Sequence, residues 1–229
     1  MKFPFSMLRD FVETDLTAEQ AGDLFTMAGF ELEGIESAGE DFVLDIKVVS
    51  NRGDGLSVFG LAREILAKDP KSKSTDLYRR ACDGFGDRTA RPSITLESSV
   101  AEIQSPDCFR FACREFDGIQ FAASPSWIQR RLEAAGMRPI SLQVDLTNYV
   151  MLELGQPLHA FDRDKLKEGR IVVRNARPGE KLTTLNGAEH ELSGQMMICD
   201  AERPVGVPGV MGGLETEVTE QTTRMLLES

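Results

Sequence analysis

The sequence predicts an α+β protein, in which a small N-terminal α+β domain precedes a larger mixed α+β domain. Helix-period apolar stripes and short strand-like runs alternate along the first 68 residues. From residue 171 onward, short β-rich runs alternate with turn sequences. The chain has 229 residues, 41% of them hydrophobic and 28% charged, as in ordinary globular proteins of one large or two modest domains.

Residues 1–68 are expected to form the smaller domain. Thr17 and Gln20 have the spacing of a capping box, in which each side chain bonds a free amide at a helix start. A helical stripe follows, and Gly29 is a natural end for it. Three further elements are predicted: strands over 30–36 and 42–49, and a helix over 56–67.

Residues 69–91 are expected to be a linker or surface excursion, because they are polar and show little periodicity. Residues 92–229 form the predicted second domain. Ser124 is the expected N-cap of its first helix, with Pro125 at the first helical position. The later elements are a second helix over 142–154 and hairpin turns at Gly179 and Gly187.

The net charge of −11 argues against a non-specific nucleic-acid binder, which needs basic side chains to replace phosphate counterions. The four cysteines include no CxxC pair, so a zinc site is not expected and the thiols are expected to be reduced. No apolar run approaches the roughly 20 residues that span a bilayer, and the start lacks a secretory signal. We therefore expect a cytoplasmic protein with no membrane or DNA partner.

The charge is unevenly distributed. Residues 1–67 carry 5 basic and 13 acidic side chains, whereas residues 68–174 carry 17 and 15, so phosphate contacts are expected in the middle section. Trp127 with Arg130 and Arg131 has two interpretations. These side chains stack on or steer an RNA end, or they belong to a surface helix with one anchored aromatic ring.

The segment from Val144 to Asp162 is the most informative part of the chain. It places His159, one of only two histidines, after a Gly-Gln-Pro reversal, with Thr147 and Asn148 upstream. Three interpretations of His159 remain open: a general base, a hydrogen-bond donor to a substrate ester, or a packed histidine. Asp162 is a candidate for orienting its ring.

Two other patterns have both a functional and a structural interpretation. The glycines from Gly209 to Gly213 leave backbone amides accessible to a carboxylate, carbonyl or phosphate, or they form a tight turn. Without a Gly-Lys-Ser/Thr ending they do not indicate nucleotide binding. The Arg-Gly-Asp tripeptide at 52–54 matches adhesion ligands only by coincidence, and Asp54 is expected to help start the following helix.

Several motifs occur together in one order along the chain. They are Met7–Val12 with Leu24–Gly34, Asn51–Ser57, Gly60–Glu64, Ser124–Gly136, the segment from 144 to 162, Gly206–Gly213 and Leu226–Ser229. Together they resemble the N-terminal region of the bacterial phenylalanyl-tRNA synthetase beta subunit, with its B3/B4 editing domain. The resemblance covers nearly the whole chain.

In that family the module hydrolyses tyrosyl-tRNA(Phe), so the resemblance implies post-transfer editing. A phenylalanine pocket rejects an analogue with one extra hydroxyl by only about 10²-fold, whereas a site that hydrogen-bonds the hydroxyl discriminates by roughly 10⁴-fold. The resemblance implies that Glu228 accepts a hydrogen bond from the tyrosine hydroxyl. It also implies that His159 positions the ester or an attacking water. The other implied residues are Thr147 and Asn148 at the reacting end, and Gly209 and Pro157 against the substrate.

The resemblance also implies a phenylalanine–tRNA ligase that uses ATP and magnesium, and an alpha subunit as partner in a heterotetramer. No cofactor is expected in this part. Three departures stand out: Gly34 runs almost directly into Phe42, where the family inserts an oligonucleotide-binding barrel; Pro208 replaces the usual alanine; and the chain stops at Ser229, as expected of an N-terminal fragment. The alternative is a non-catalytic scaffold or RNA-binding module with a vestigial pocket.

Overall fold

The computed structural model describes residues 1–86 and 100–229. The chain divides into two compact units. The first unit comprises residues 1–93, 124–140 and 148–156, and the second comprises 94–123, 141–147 and 157–229. Both contain helix and strand, so the predicted α+β class is confirmed.

The first unit is built mainly from helices around a small antiparallel sheet. The sheet has the order β1-β4-β3, and a second ladder pairs β2 with β5. The strands are β1 (Lys2–Pro4), β2 (Val12–Glu13), β3 (Glu31–Ala38), β4 (Asp41–Lys47) and β5 (Lys73–Ser74). The helices are α1 (Phe5–Phe11), α2 (Ala18–Met27), α3 (Val58–Lys68), α4 (Asp76–Gly86) and α5 (Ser126–Ala134).

Local sequence signals set the ends of α2 and α3. Thr17 and Gln20 form the predicted capping box at the start of α2, and Gly29 follows its end with φ +92°. The expectation that Asp54 starts α3 is wrong, because the Ser57 hydroxyl accepts the Gly60 amide at 3.0 Å instead.

The Arg-Gly-Asp tripeptide has a structural explanation. The Arg52 guanidinium donates to both Asp54 carboxylate oxygens at 3.0 Å, to Glu64 at 2.6 Å and to the Ala28 carbonyl at 2.9 Å. Its cation also lies 4.5 Å from the centroid of the Phe30 ring. The tripeptide therefore links α2 to α3 within the first unit.

The predicted linker contains regular structure. The strand β5 and the helix α4 lie within residues 69–86, and the remainder of the predicted linker falls outside the described residues. The proposed boundary at residue 92 also lies outside them and stays a prediction. The compact units follow a different division, since the first unit includes α5.

The helix α5 begins one residue later than predicted. Pro125 occupies the N-cap position without a side-chain hydrogen bond, and Ser126 is the first helical residue. The next helix, α6 (Leu142–Leu154), has the predicted bounds. Its residues 142–147 group with the second unit and the rest with the first.

The second unit is mainly β. Its sheets have the orders β14-β13-β12-β9-β6, β7-β15-β8 and β10-β11, with only β6 and β9 parallel among these described ladders. The strands are β6 (Ala101–Ile103), β7 (Cys113–Asp117), β8 (His159–Asp162), β9 (Ile171–Asn175), β10 (Lys181–Thr183), β11 (Glu189–Glu191), β12 (Met196–Cys199), β13 (Pro204–Val207), β14 (Met211–Gly212) and β15 (Arg224–Glu228).

A compact apolar core packs against strands β8 and β15. Phe161 of β8 and Leu226 of β15 are fully buried, and they pack with Ile171, Val173 and Val205 in one cluster. Burial of such side chains stabilises a fold by about 1.5–3 kcal/mol each.

Among residues 1–86 and 100–229, no helix has both the length and the apolar character needed to cross a bilayer.

Candidate active site

The site centres on two side chains that are far apart in the chain. In the antiparallel pairing of β8 with β15, His159 lies directly opposite Glu228. Directly opposite residues share one face of a sheet, and their Cβ atoms lie about 4.5–5.5 Å apart. The fold thus juxtaposes an imidazole and a carboxyl group.

Both side chains have a buried polar atom without a hydrogen bond. His159 Nε2 and Glu228 Oε2 are inaccessible to solvent and have no partner among the described residues. Buried polar groups in folded proteins are nearly always paired, and leaving one unpaired costs about 1–3 kcal/mol. A bound molecule that supplies partners would remove this cost.

The His159 ring lies directly against the backbone of Gly212. A Cβ atom at Gly212 would overlap the Cε1 and Nε2 atoms of His159, so only glycine fits beneath the ring. The ring edge also meets Phe161, with centroids 4.5 Å apart and planes at 81°. Both neighbours limit the orientations that the imidazole can adopt.

Burial shifts the pKa values of the pair in opposite directions. It lowers the pKa of His159 from 6.5 to about 4 and raises the pKa of Glu228 from 4.5 to about 7, because it disfavours the charged form of each group. At neutral pH the imidazole is therefore uncharged, and its unprotonated nitrogen accepts a hydrogen bond. The carboxyl group is near the midpoint of its titration.

These shifts predict an altered pH dependence of stability in Glu228→Gln. Glu228 binds its proton more tightly when folded, so its contribution to the free energy of unfolding falls as pH rises from about 4.5 to 7. His159 binds its proton less tightly when folded, so its contribution rises between about 4 and 6.5. The two trends nearly cancel in wild type.

In Glu228→Gln only the histidine trend remains. Its free energy of unfolding relative to wild type should increase by about 3 kcal/mol between pH 4.5 and 7. Urea unfolding followed by circular dichroism at several pH values measures this difference. Parallel pH profiles for the two proteins would contradict the assignment.

Cys113 extends the row of side chains across the sheet. It lies opposite Glu228 on β7, so Cys113, Glu228 and His159 occupy adjacent strands in one register. Burial, with the nearby Glu115 and Glu228 carboxylates, raises the pKa of the Cys113 thiol. A thiol of raised pKa is a poor nucleophile, so Cys113 is not expected to attack a substrate.

The structure places the upstream candidates on α6. Thr147 is buried in the second unit, and its hydroxyl donates to the Val144 carbonyl at 2.7 Å, one turn back in the same helix. Asn148 is half-buried and groups with the first unit. Their assignment to the reacting end stays a prediction.

Gly209 lies in a turn of the β13–β14 hairpin. The Val210 amide donates to the Val207 carbonyl at 3.1 Å, and Gly209 has φ +69°. This geometry suits glycine at the third position of a turn with Pro208 before it, so the proline fits the local backbone. Gly209 and the candidate Pro157 are both exposed, and their contacts with substrate stay predictions.

Asp162 does not orient His159. Its carboxylate accepts the Thr222 hydroxyl at 2.7 Å and the Asp164 amide at 3.1 Å. Residues three apart on a strand point to opposite faces, which separates these two side chains. The predicted orienting role of Asp162 fails because β8 is a strand. A spacing of three residues brings side chains together on a helix and separates them on a strand.

Sequence reasoning missed two contributors. The sequence indicates only an accessible backbone amide for Gly212 and a reduced thiol for Cys113. No local signal reveals either, because both roles depend on strand pairing.

Among residues 1–86 and 100–229, no group of three or more His, Cys, Asp or Glu side chains is placed to hold a metal ion.

Comparison with known proteins identifies the family to which the chain is similar. Residues 107–229 match the B3/4 domain family. The phenylalanine–tRNA ligase beta subunit of Moorella thermoacetica is 50% identical over 192 residues, covering 83% of this chain and 23% of that protein. The corresponding subunit of Rhodopirellula baltica is 37% identical over 232 residues, covering 100% of this chain and 33% of that protein.

The chain therefore spans about a quarter to a third of the length of these curated relatives. A solved structure, an N-terminal fragment of the phenylalanyl-tRNA synthetase beta subunit from Pyrococcus horikoshii, shares 17% identity with a TM-score of 0.48. That alignment covers 100% of this chain and 67% of the other.

Proposed function

The chain belongs to the B3/4 domain family, and from this premise we propose that it is the editing region of a phenylalanine–tRNA ligase beta subunit. The proposed reaction is hydrolysis of tyrosine wrongly esterified to tRNA(Phe). Water attacks the ester carbonyl carbon, the bond to the ribose oxygen breaks, and the ribose oxygen takes a proton. The products are free tyrosine and uncharged tRNA.

One observation carries the proposal. His159 Nε2 and Glu228 Oε2 are buried, unpartnered and located on directly opposite residues of one sheet face. A substrate with a hydroxyl donor would satisfy the carboxyl oxygen, and a water that donates a hydrogen bond would satisfy the imidazole nitrogen. A packed structural pair would instead have both atoms hydrogen-bonded within the protein.

Glu228 supplies the selectivity in this proposal. Its oxygen accepts the phenolic hydroxyl of tyrosine, whereas phenylalanine leaves it unpaired in a buried site. Unpaired buried polar groups allow discrimination of about 10⁴-fold, well above what exclusion of a hydroxyl from an apolar pocket achieves. The site therefore rejects the correct product by failing to pair with it.

His159 acts on the reacting end. Because burial keeps the imidazole neutral at pH 7, it accepts a hydrogen bond from the attacking water and holds that water toward the ester. No activated nucleophile accompanies it among the described residues, since burial raises the pKa of the nearby Cys113. Direct attack by water, without a covalent intermediate, is the reaction we propose.

The remaining expectations concern the whole enzyme. We propose that the full subunit is cytoplasmic and pairs with an alpha subunit, and that their ligase reaction uses ATP and Mg²⁺. We expect neither ATP nor Mg²⁺ to bind to this part of the subunit. Thr147, Asn148, Gly209 and Pro157 are proposed to line the substrate.

The test is release of tyrosine from tyrosyl-tRNA(Phe). The full beta subunit with its partner should hydrolyse the ester well above the buffer rate, and His159→Ala should slow it by about 10²–10⁴-fold, as removal of a positioned proton-transfer group does. Measurement of single-turnover rates with excess enzyme isolates the chemical step.

The chain offers a matched control. His190, the second histidine, is exposed on the β10–β11 hairpin and lies 3.3 Å from the Thr184 hydroxyl. His190→Ala should keep the wild-type rate. A wild-type rate equal to that of buffer would contradict the editing proposal. Equal rates for His159→Ala and His190→Ala would contradict only the role assigned to His159.

A further inference from the structure

A groove in the first unit is separate from the site described above. It has a volume of about 1110 Å³ and is formed by four elements: α1, the start of α2, the β3–β4 turn and α5. This volume exceeds the roughly 300–1,000 Å³ of ordinary small-molecule pockets.

The groove presents two arginines that lack a carboxylate partner. Arg9 and Arg130 are exposed, line the groove, and form no ion pair with any described residue. Arg131 differs, because it is paired with Asp10 at 2.6 Å and donates to the Tyr149 hydroxyl. Arg9 donates to the Leu16 carbonyl at 3.4 Å and lies 4.8 Å from the centroid of the Phe5 ring. Neither Arg9 nor Arg130 has a carboxylate partner in the described part of the chain, so both cations are accessible to an anionic ligand.

The three acidic side chains of the groove, Glu19, Glu40 and Asp41, differ in their contacts. Asp41 accepts the Ser6 hydroxyl at 2.6 Å and the Ser6 amide at 3.0 Å. Glu19 lies in the first turn of α2, where a carboxylate complements the helix dipole. Glu19 and Glu40, the latter at the β3–β4 turn, are the exposed acids of the lining.

Aromatic surface accompanies these cations. Trp127 is 48% exposed and Phe42 is 43% exposed, and both line the groove. Trp127 is held by an edge contact with Tyr149 at 5.5 Å and by the Arg131 cation at 5.6 Å from the ring centroid. The indole is thus held in position while about half of it remains open for stacking.

We propose that this groove binds a single-stranded RNA segment, with Arg9 and Arg130 contacting phosphates and Trp127 stacking on a base. Unpaired cations beside an exposed, anchored aromatic ring are the features that bind single strands. The inference goes beyond ester hydrolysis and does not require it.

The test measures binding of uncharged RNA to the full chain. Titrations with a tRNA(Phe) transcript and with a short oligouridylate, at several KCl concentrations, give the affinity and its salt dependence. For Arg9→Gln/Arg130→Gln, loss of two phosphate contacts should reduce the slope of log K against log salt by about 1.4 to 1.8. The affinity should fall about tenfold or more.

Stacking is tested independently. Trp127→Leu should weaken binding by roughly fivefold to 100-fold without changing the salt slope, and Trp127→Phe should recover most of the loss. Circular dichroism confirms that each variant is folded. A salt slope that changes in Trp127→Leu would argue against the assigned stacking role.

The control is Arg80→Gln/Arg138→Gln. Both arginines are exposed, lie outside the groove lining and form no ion pair with a described residue. The proposal is overturned if this control loses as much affinity as the groove variant. It is also overturned if wild type binds neither RNA at about 100 µM protein, the weak limit of non-specific binding.

Discussion

Gly212→Ala should reduce tyrosine release by about 100-fold or more while leaving the chain folded. The new methyl group would occupy the space of the His159 ring, which must then move from its position opposite Glu228. A displacement of about 1 Å in a catalytic group can cost on the order of 10²-fold in rate. Single-turnover hydrolysis of tyrosyl-tRNA(Phe) measures the loss.

Gly206→Ala provides the matched control. Gly206 pairs directly with Gly212 across β13 and β14, yet a Cβ there meets nothing closer than 3.7 Å. It should keep nearly the full rate. Overpacking at Gly212 costs about 1–3 kcal/mol, so urea unfolding must show a folded variant. A wild-type rate in Gly212→Ala would show that the His159 position is unimportant.

Glu228→Leu should lose selectivity for tyrosine and gain stability. Without the acceptor, hydrolysis of tyrosyl-tRNA(Phe) should fall at least about 10²-fold, and the preference over phenylalanyl-tRNA(Phe) should largely disappear. Removing an unpaired buried carboxyl group should raise the free energy of unfolding above pH 7, where the wild-type group is ionised. Hydrolysis rates for both esters and urea unfolding at pH 8 test the two effects.

Glu115→Leu is the contrasting control. Glu115 shares the sheet face of Glu228 but pairs with Arg163 at 2.6 Å. Its removal should lower stability slightly and leave selectivity intact. If Glu228→Leu is destabilised as much as this control, the wild-type carboxyl group has a partner in solution and the proposed ligand contact is lost.

The local elements were predictable where a short segment contains its own signal. The capping box at Thr17 and the bounds 142–154 of α6 are confirmed, since caps and apolar periodicity act within a few turns. The start of α5 was misplaced by one residue, because Ser124 and Pro125 both suit a helix N-terminus. The strand and helix within the predicted linker carried too little periodicity to identify.

The site was only partly predictable. His159 was identifiable from the sequence as an unusual histidine beside a chain reversal, and Glu228 only through family resemblance. Their register opposite each other was not predictable, because it depends on how β8 and β15 pair across 69 residues of chain. The same register excludes Asp162 and places Cys113 beside Glu228.

By itself the sequence determined the α+β class, the helix caps and the residue types available for chemistry, because these depend on local periodicity and side-chain identity. Only the tertiary structure decided which of them lie close together. Strand pairing placed His159 opposite Glu228 and Gly212 beneath its ring, and burial then shifted both pKa values toward the neutral forms. Proximity and desolvation arise from long-range packing, and no local pattern encodes them.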